Sequence, residues 1–153
     1  MKKKKLLIPE NKFKSDFAPL VGFYDYHIKK KSIPIKLNYI QDMGVRLKVI
    51  KKRCDFAEID EEEISVNTII FSSSKKKNNV KNLFWNLRCI VAHPENIEEV
   101  KINDVLCYKI ICITKDKETK LTIPTMKGII SCDVWSIFIK QLMDKILNIN
   151  ENV

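Results

Sequence analysis

Arg88 and His93 are the two side chains whose types and spacing suit chemistry. They stand with four residues between them in NVKNLFWNLRCIVAHP, Asn79 to Pro94. An imidazole titrates near neutrality, so it can take or deliver a proton under ordinary conditions. A guanidinium is a planar fork that bonds two phosphate oxygens at once, which an ammonium cannot do. Only Arg46, Arg53 and Arg88 are arginines in a chain with 28 Lys and Arg together, so Arg88 stands out against a lysine background. The other histidine, His27, lies between Tyr26 and Ile28 and reads as structural.

The element that must position this pair is a single helix. Val80, Leu83, Phe84, Leu87, Ile90 and Val91 recur at the spacing of one buried helical stripe. Asn79 suits the N-cap, and Pro94 ends the helix and pushes His93 out of the helical region. At roughly 100° per residue, with Val80 at zero, Arg88 falls near 80° and His93 near 220°. Between them Trp85, Cys89 and Ala92 form a second, smaller apolar patch. That patch either holds a partner chain, with Arg88 and His93 flanking the contact, or meets another part of the same chain. Likewise, Arg88 and His93 either form a site, or Arg88 pairs with a carboxylate while His93 caps its own helix.

Composition narrows the classes. At 153 residues the chain reads as one domain, 1–153, with 45% hydrophobic and 31% charged residues. A net charge of +9 suits a polyanionic partner, nucleic acid before membrane. The five cysteines (Cys54, Cys89, Cys107, Cys112, Cys132) contain no CxxC, and two histidines make no zinc constellation. No nucleotide-binding loop or nucleophile constellation appears either, so no cofactor is expected. MKKKKLLIPE lacks the apolar core of a signal peptide, and no run reaches the roughly 18 apolar residues of a membrane span. A reduced, cytoplasmic protein is the expectation.

Along the chain, residues 1–10 read as a loosely held basic arm. A helix over 12–30 is weakened by Pro19 and Gly22. Pro34 opens a second helix whose stripe (Leu37, Ile40, Gly44, Leu47, Cys54) runs to about residue 57. Asp60 and Glu63 resemble a capping box, so ISVNTIIF (64–71) is read as helix despite its β-branched residues. SSSKKKNN (72–79) is a loop whose Lys75, Lys76 and Lys77 can reach a phosphate backbone near Arg88. VLCYKIICIT and LTIP, within 104–125, form a β-hairpin. Ser131 or Asp133 then caps a last helix carrying Val134, Ile137, Phe138, Leu142 and Ile146 along one side, and the tail NINENV frays.

At LRCIVAHP (87–94) the chain resembles the HEPN superfamily, whose signature is an Arg, four to six residues, then a His. The late bundle helix, the apolar stripe leading to the motif, the AHP ending and a β-hairpin before a final helix carry the resemblance. It implies a mainly α fold, a four-helix bundle with a small β-hairpin inserted before the C-terminal helix. It implies a metal-independent endoribonuclease of a toxin–antitoxin or antiphage defence system, a homodimer whose Arg88 and His93 pairs line one cleft. RNA is then the substrate and an antitoxin protein a possible partner. A ribose 2′-OH would attack the adjacent phosphorus, with His93 as base and Arg88 holding the charge on the phosphate, leaving a 2′,3′-cyclic phosphate. Cys89 departs from the family, which usually carries a polar residue after the Arg. The alternative is a non-catalytic HEPN module that binds RNA or a protein.

Overall fold

The protein is built on a five-stranded mixed sheet. The structure, a computed structural model, describes residues 6–30, 36–40, 43–50, 59, 64–73, 78–115 and 120–151. Strands β1 (Arg46–Ile50), β2 (Thr68–Ser72), β3 (Ile97–Ile102), β4 (Val105–Lys115) and β5 (Thr122–Ser131) lie in the order β1-β2-β5-β4-β3. β1 pairs with β2 in parallel, and every other neighbouring pair is antiparallel. β3 and β4 turn through Asn103 and Asp104, both at positive φ (49° and 65°). Such a two-residue turn matches the twist of the strands, and Asn and Asp tolerate that backbone. Asn67, at φ 64°, joins three strands. Its N–H donates to Ile129 O (2.6 Å), its carbonyl accepts from Arg46 (2.8 Å), and its Oδ1 accepts the Ser131 N–H (2.9 Å).

Side chains alternate across the sheet, so each strand sorts its residues between two faces. Leu47, Ile69, Phe71, Tyr108, Ile110, Cys112, Met126 and Ile130 face the main core. Helices α1 (Glu10–Asp16), α2 (Pro19–Phe23), α3 (Asn79–Ala92) and α4 (Cys132–Glu151) pack on that core, which also takes residues between elements such as Ile8, Phe17, Ile40 and Val45. On the other face Ile70, Cys107 and Ile129 form a smaller cluster with Ile64, and Ile59 packs against it.

This architecture overturns the mainly α four-helix bundle. The hairpin at 104–125 is real as an antiparallel pair, yet it is the middle of a sheet, not an insert. The helix expected from Pro34 to about 57 is, among the described residues, a short 3₁₀ turn (Leu37–Ile40) followed by β1. Leu37, Ile40 and Leu47 fit a helical spacing by coincidence; Leu47 is buried between exposed Arg46 and Lys48, the period of a strand. Residues 64–71 end in β2, whose five residues are all buried, as in a central strand covered on both faces. Asp60 and Glu63, Cys54, and Lys2 to Lys5 fall outside the described residues. The arm is not loose at its far end, where Ile8 is buried. The last helix continues to Glu151, and Ile137 is 58% exposed while Trp135, Phe138 and Leu142 face inward. Among the described residues no helix is long and apolar enough to cross a membrane.

A buried polar ladder sets the rotation of α3. Asn82 and Asn86, one turn apart, point inward with the apolar stripe. Asn82 Nδ2 donates to the Ser72 carbonyl and Asn86 Nδ2 to the Asn82 carbonyl (2.9 Å). Thr125 Oγ1 donates to Asn86 Oδ1 (2.7 Å). β4 and β5 shift register after Cys112, which leaves Thr125 as the extra residue of a bulge. A bulge of this kind re-aims a side chain. Buried amides demand such partners, so the ladder specifies one orientation of the helix and with it the direction of Arg88.

Candidate functional site

α3 begins one residue earlier than its sequence suggests. Asn78 is the N-cap, its side chain accepting the Lys81 N–H at 2.8 Å. The stripe Val80, Leu83, Phe84, Leu87, Ile90 and Val91 is buried as expected. Arg88 stands beside a π-helical turn, Tyr24–Ile28, that continues α2. Its Nε donates to Asp25 Oδ1 at 3.5 Å, with the two side chains 34% and 43% exposed. A pair this open contributes about 0.2–1 kcal/mol. The same interface holds a row of rings. Phe84 of α3 stacks on Phe23 (5.6 Å between centroids), Phe23 meets His27 at a tilt (4.9 Å), and His27 lies 6.3 Å from Tyr26. Tyr26 ends the row at 80% exposure. Lys81 Nζ donates to the Lys29 carbonyl (3.5 Å), and Lys29 and Lys30 are exposed.

His93 has different surroundings. It is the C-cap of α3, its backbone N–H donating to Cys89 O at 3.2 Å. Its Nδ1 lies 3.6 Å from Glu95 Oε1 on the 3₁₀ turn Pro94–Asn96 that leads into β3. Arg88 and His93 therefore engage separate carboxylates on separate elements. Trp85 and Cys89 are half-buried and pack against the main core of their own chain; Ala92 is half-buried too. Cys89 and the buried Cys112 of β4 share a hydrogen bond, which together with burial pushes the Cys112 thiol far up. Burial also raises Tyr24, helped by Cys89 and opposed by Arg88. Lys75, Lys76 and Lys77 lie outside the described residues.

A second constellation, with no signal in the sequence, lies at the other end of the core. A cleft of about 430 Å³ is lined by Lys12, Asp16, Asp104, Tyr108, Cys132 and Ser136, among others. Asp16 is its hub. Tyr108 OH donates to Oδ2 (2.7 Å), Ser136 Oγ to Oδ1 (3.1 Å), and Trp135 Nε1 to the Asp16 carbonyl (3.0 Å). Phe17, Tyr108 and Trp135 pack beneath it with centroids 4.8–6.3 Å apart. Lys12 holds Glu99 at 3.0 Å, and that hydrogen bond raises its pKa against the opposing effect of burial. Burial first, then the Asp16 carboxylate, drives Tyr108 far above its ordinary value, and burial also raises the Cys132 thiol. The hydrogen bonds from Tyr108, Trp135 and Ser136 to Asp16 pin α1 to β4 and α4 at this cleft. Among the described residues no group of three or more His, Cys, Asp or Glu is placed to hold a metal ion.

Compared with protein-family models, with curated proteins and with solved structures, the chain matches none.

Proposed function

We propose that this protein binds RNA, without cleaving it, through the surface shared by α3 and the Tyr24–Ile28 turn. The observation that carries the reading is that Arg88 and Lys81 of α3 reach Asp25 and the Lys29 carbonyl, in a segment that exposes Tyr26, Lys29 and Lys30, on a +9 chain. Cationic side chains held on a rigid helix and turn attract a phosphate backbone and release its counterions. Only Arg88 Nε meets Asp25, and the guanidinium carries further N–H groups suited to a phosphate. Cleavage by 2′-OH attack would need a base and a phosphate ligand converging on one phosphorus. Arg88 meeting Asp25 while His93 faces Glu95 on a different element supports binding over that chemistry.

A salt titration of RNA affinity tests this, run beside a cleavage assay in excess EDTA. The expected outcome is salt-sensitive binding, weakened by Arg88→Ala, with the RNA recovered intact. Cyclic-phosphate products that vanish with both Arg88→Ala and His93→Ala would replace this reading by the endoribonuclease one. RNA affinity indistinguishable from a neutral control protein would end both.

A further inference from the structure

The row of rings running out from the core stops at a face that, among the described residues, nothing covers. Phe84 is 1% exposed, fixed among the core side chains of α3, and stacks on Phe23. His27 lies against Phe23 with its ring tilted by 40°, and Tyr26 lies next to His27 at 44°. Tyr26 stands at the outer end of this row and is 80% exposed. No other large apolar residue among those described is as exposed; Leu121 follows at 63%. Lys29 and Lys30 follow the same turn, Lys81 reaches the Lys29 carbonyl, and Arg88 reaches Asp25, the residue before Tyr26.

We infer that Tyr26 is a stacking platform for an unpaired base of single-stranded RNA, with Arg88 and Lys81 on the flanking phosphates. This rests on the RNA-binding reading above and adds which form of RNA is taken. An aromatic face set among cations fits a strand whose bases are free to stack, because every base presents a π-face. A duplex keeps its bases inside the helix and offers the same surface only phosphates. Asp25, which meets Arg88, keeps that guanidinium beside the turn that carries the platform.

The test is fluorescence anisotropy with a labelled 12-nucleotide single strand of RNA, a duplex RNA of equal length, and the deoxy single strand. Tyr26→Ala should weaken binding of the RNA strand about tenfold, from the loss of one base stack. It should leave the duplex affinity and the slope of affinity against salt unchanged, while Tyr26→Phe stays near wild type. Arg88→Ala should lower that slope by roughly one phosphate contact on single strand and duplex alike. An unchanged melting temperature in Tyr26→Ala separates lost stacking from lost folding. Equal single-strand affinity for wild type and Tyr26→Ala, with Arg88→Ala weakened, would overturn the platform and leave the RNA-binding surface standing. Tighter binding of the deoxy strand would overturn the assignment to RNA, and no binding of any of the three would overturn both.

Discussion

The α3 surface and the Asp16 cleft use similar residue types to opposite ends. At Asp16 the carboxylate takes three hydroxyl donors, from Ser15, Tyr108 and Ser136, and the rings beneath it are buried on every side. At Arg88 the carboxylate takes one guanidinium at 3.5 Å, and the row of rings runs outward into solvent. A group that has spent its hydrogen-bonding capacity inside the chain holds the fold together. A group left part-engaged and part-exposed can still meet a ligand.

Stability measurements can break this contrast, and the largest effect belongs to the cleft. Trp135→Ala removes a fully buried ring that touches Phe17, Tyr108 and Phe138 and also donates to the Asp16 carbonyl. The expected loss is about 3–5 kcal/mol in denaturant titration. A loss below 1 kcal/mol would mean the ring cluster does not organise that end of the core.

A smaller effect should appear with alkali. The folded state holds the Tyr108 proton above the ordinary tyrosine value of 10.0, so the unfolded chain releases that proton first. Its contribution is complete below that value and is lost as pH rises beyond it, so the melting temperature should fall above about pH 10. Tyr108→Phe should cost about 0.5–1.5 kcal/mol at neutral pH and flatten the alkaline fall. An alkaline slope identical in wild type and variant would place the titration elsewhere.

Arg88→Ala should have the smallest effect on stability, under about 1 kcal/mol by thermal melting, because its ion pair is open to solvent. A loss above 2 kcal/mol would make Arg88 a residue of the fold, like Asp16, and erase the contrast.

How much could be read without coordinates follows from how local each feature is. The stripe of α3 and its end at Pro94 depend on near neighbours, and both stand in the structure. Arg88 could be singled out for its type, but its partner Asp25 lies 63 residues away, and no local pattern announces that contact. β1 is an edge strand with alternating burial, and its Leu47 continues a chance helical spacing from Leu37 and Ile40. β2 reads as helix for a related reason. A central strand covered on both faces is a continuous apolar run, which periodicity cannot distinguish from buried helix. A capping-like Asp60 and Glu63 upstream then tipped ISVNTIIF toward helix. The bundle adds up helices read from such spacings, and a short Arg–His motif constrains too few residues to correct it. The cleft gathers Lys12, Asp16, Asp104, Tyr108, Cys132 and Ser136 from three distant stretches, each unremarkable alone.

The Asp16 hub has a consequence for synthesis. Its hydrogen bonds reach Tyr108, Trp135 and Ser136, spanning 92, 119 and 120 positions of sequence. A ribosome releases α1 long before it has made any of those partners. Phe17 meanwhile has neither the ring of Tyr108 nor that of Trp135 to pack on. Helix α1 is thus latched only after β4 and α4 are made, and an arrest before residue 135 leaves it without Trp135 and Ser136.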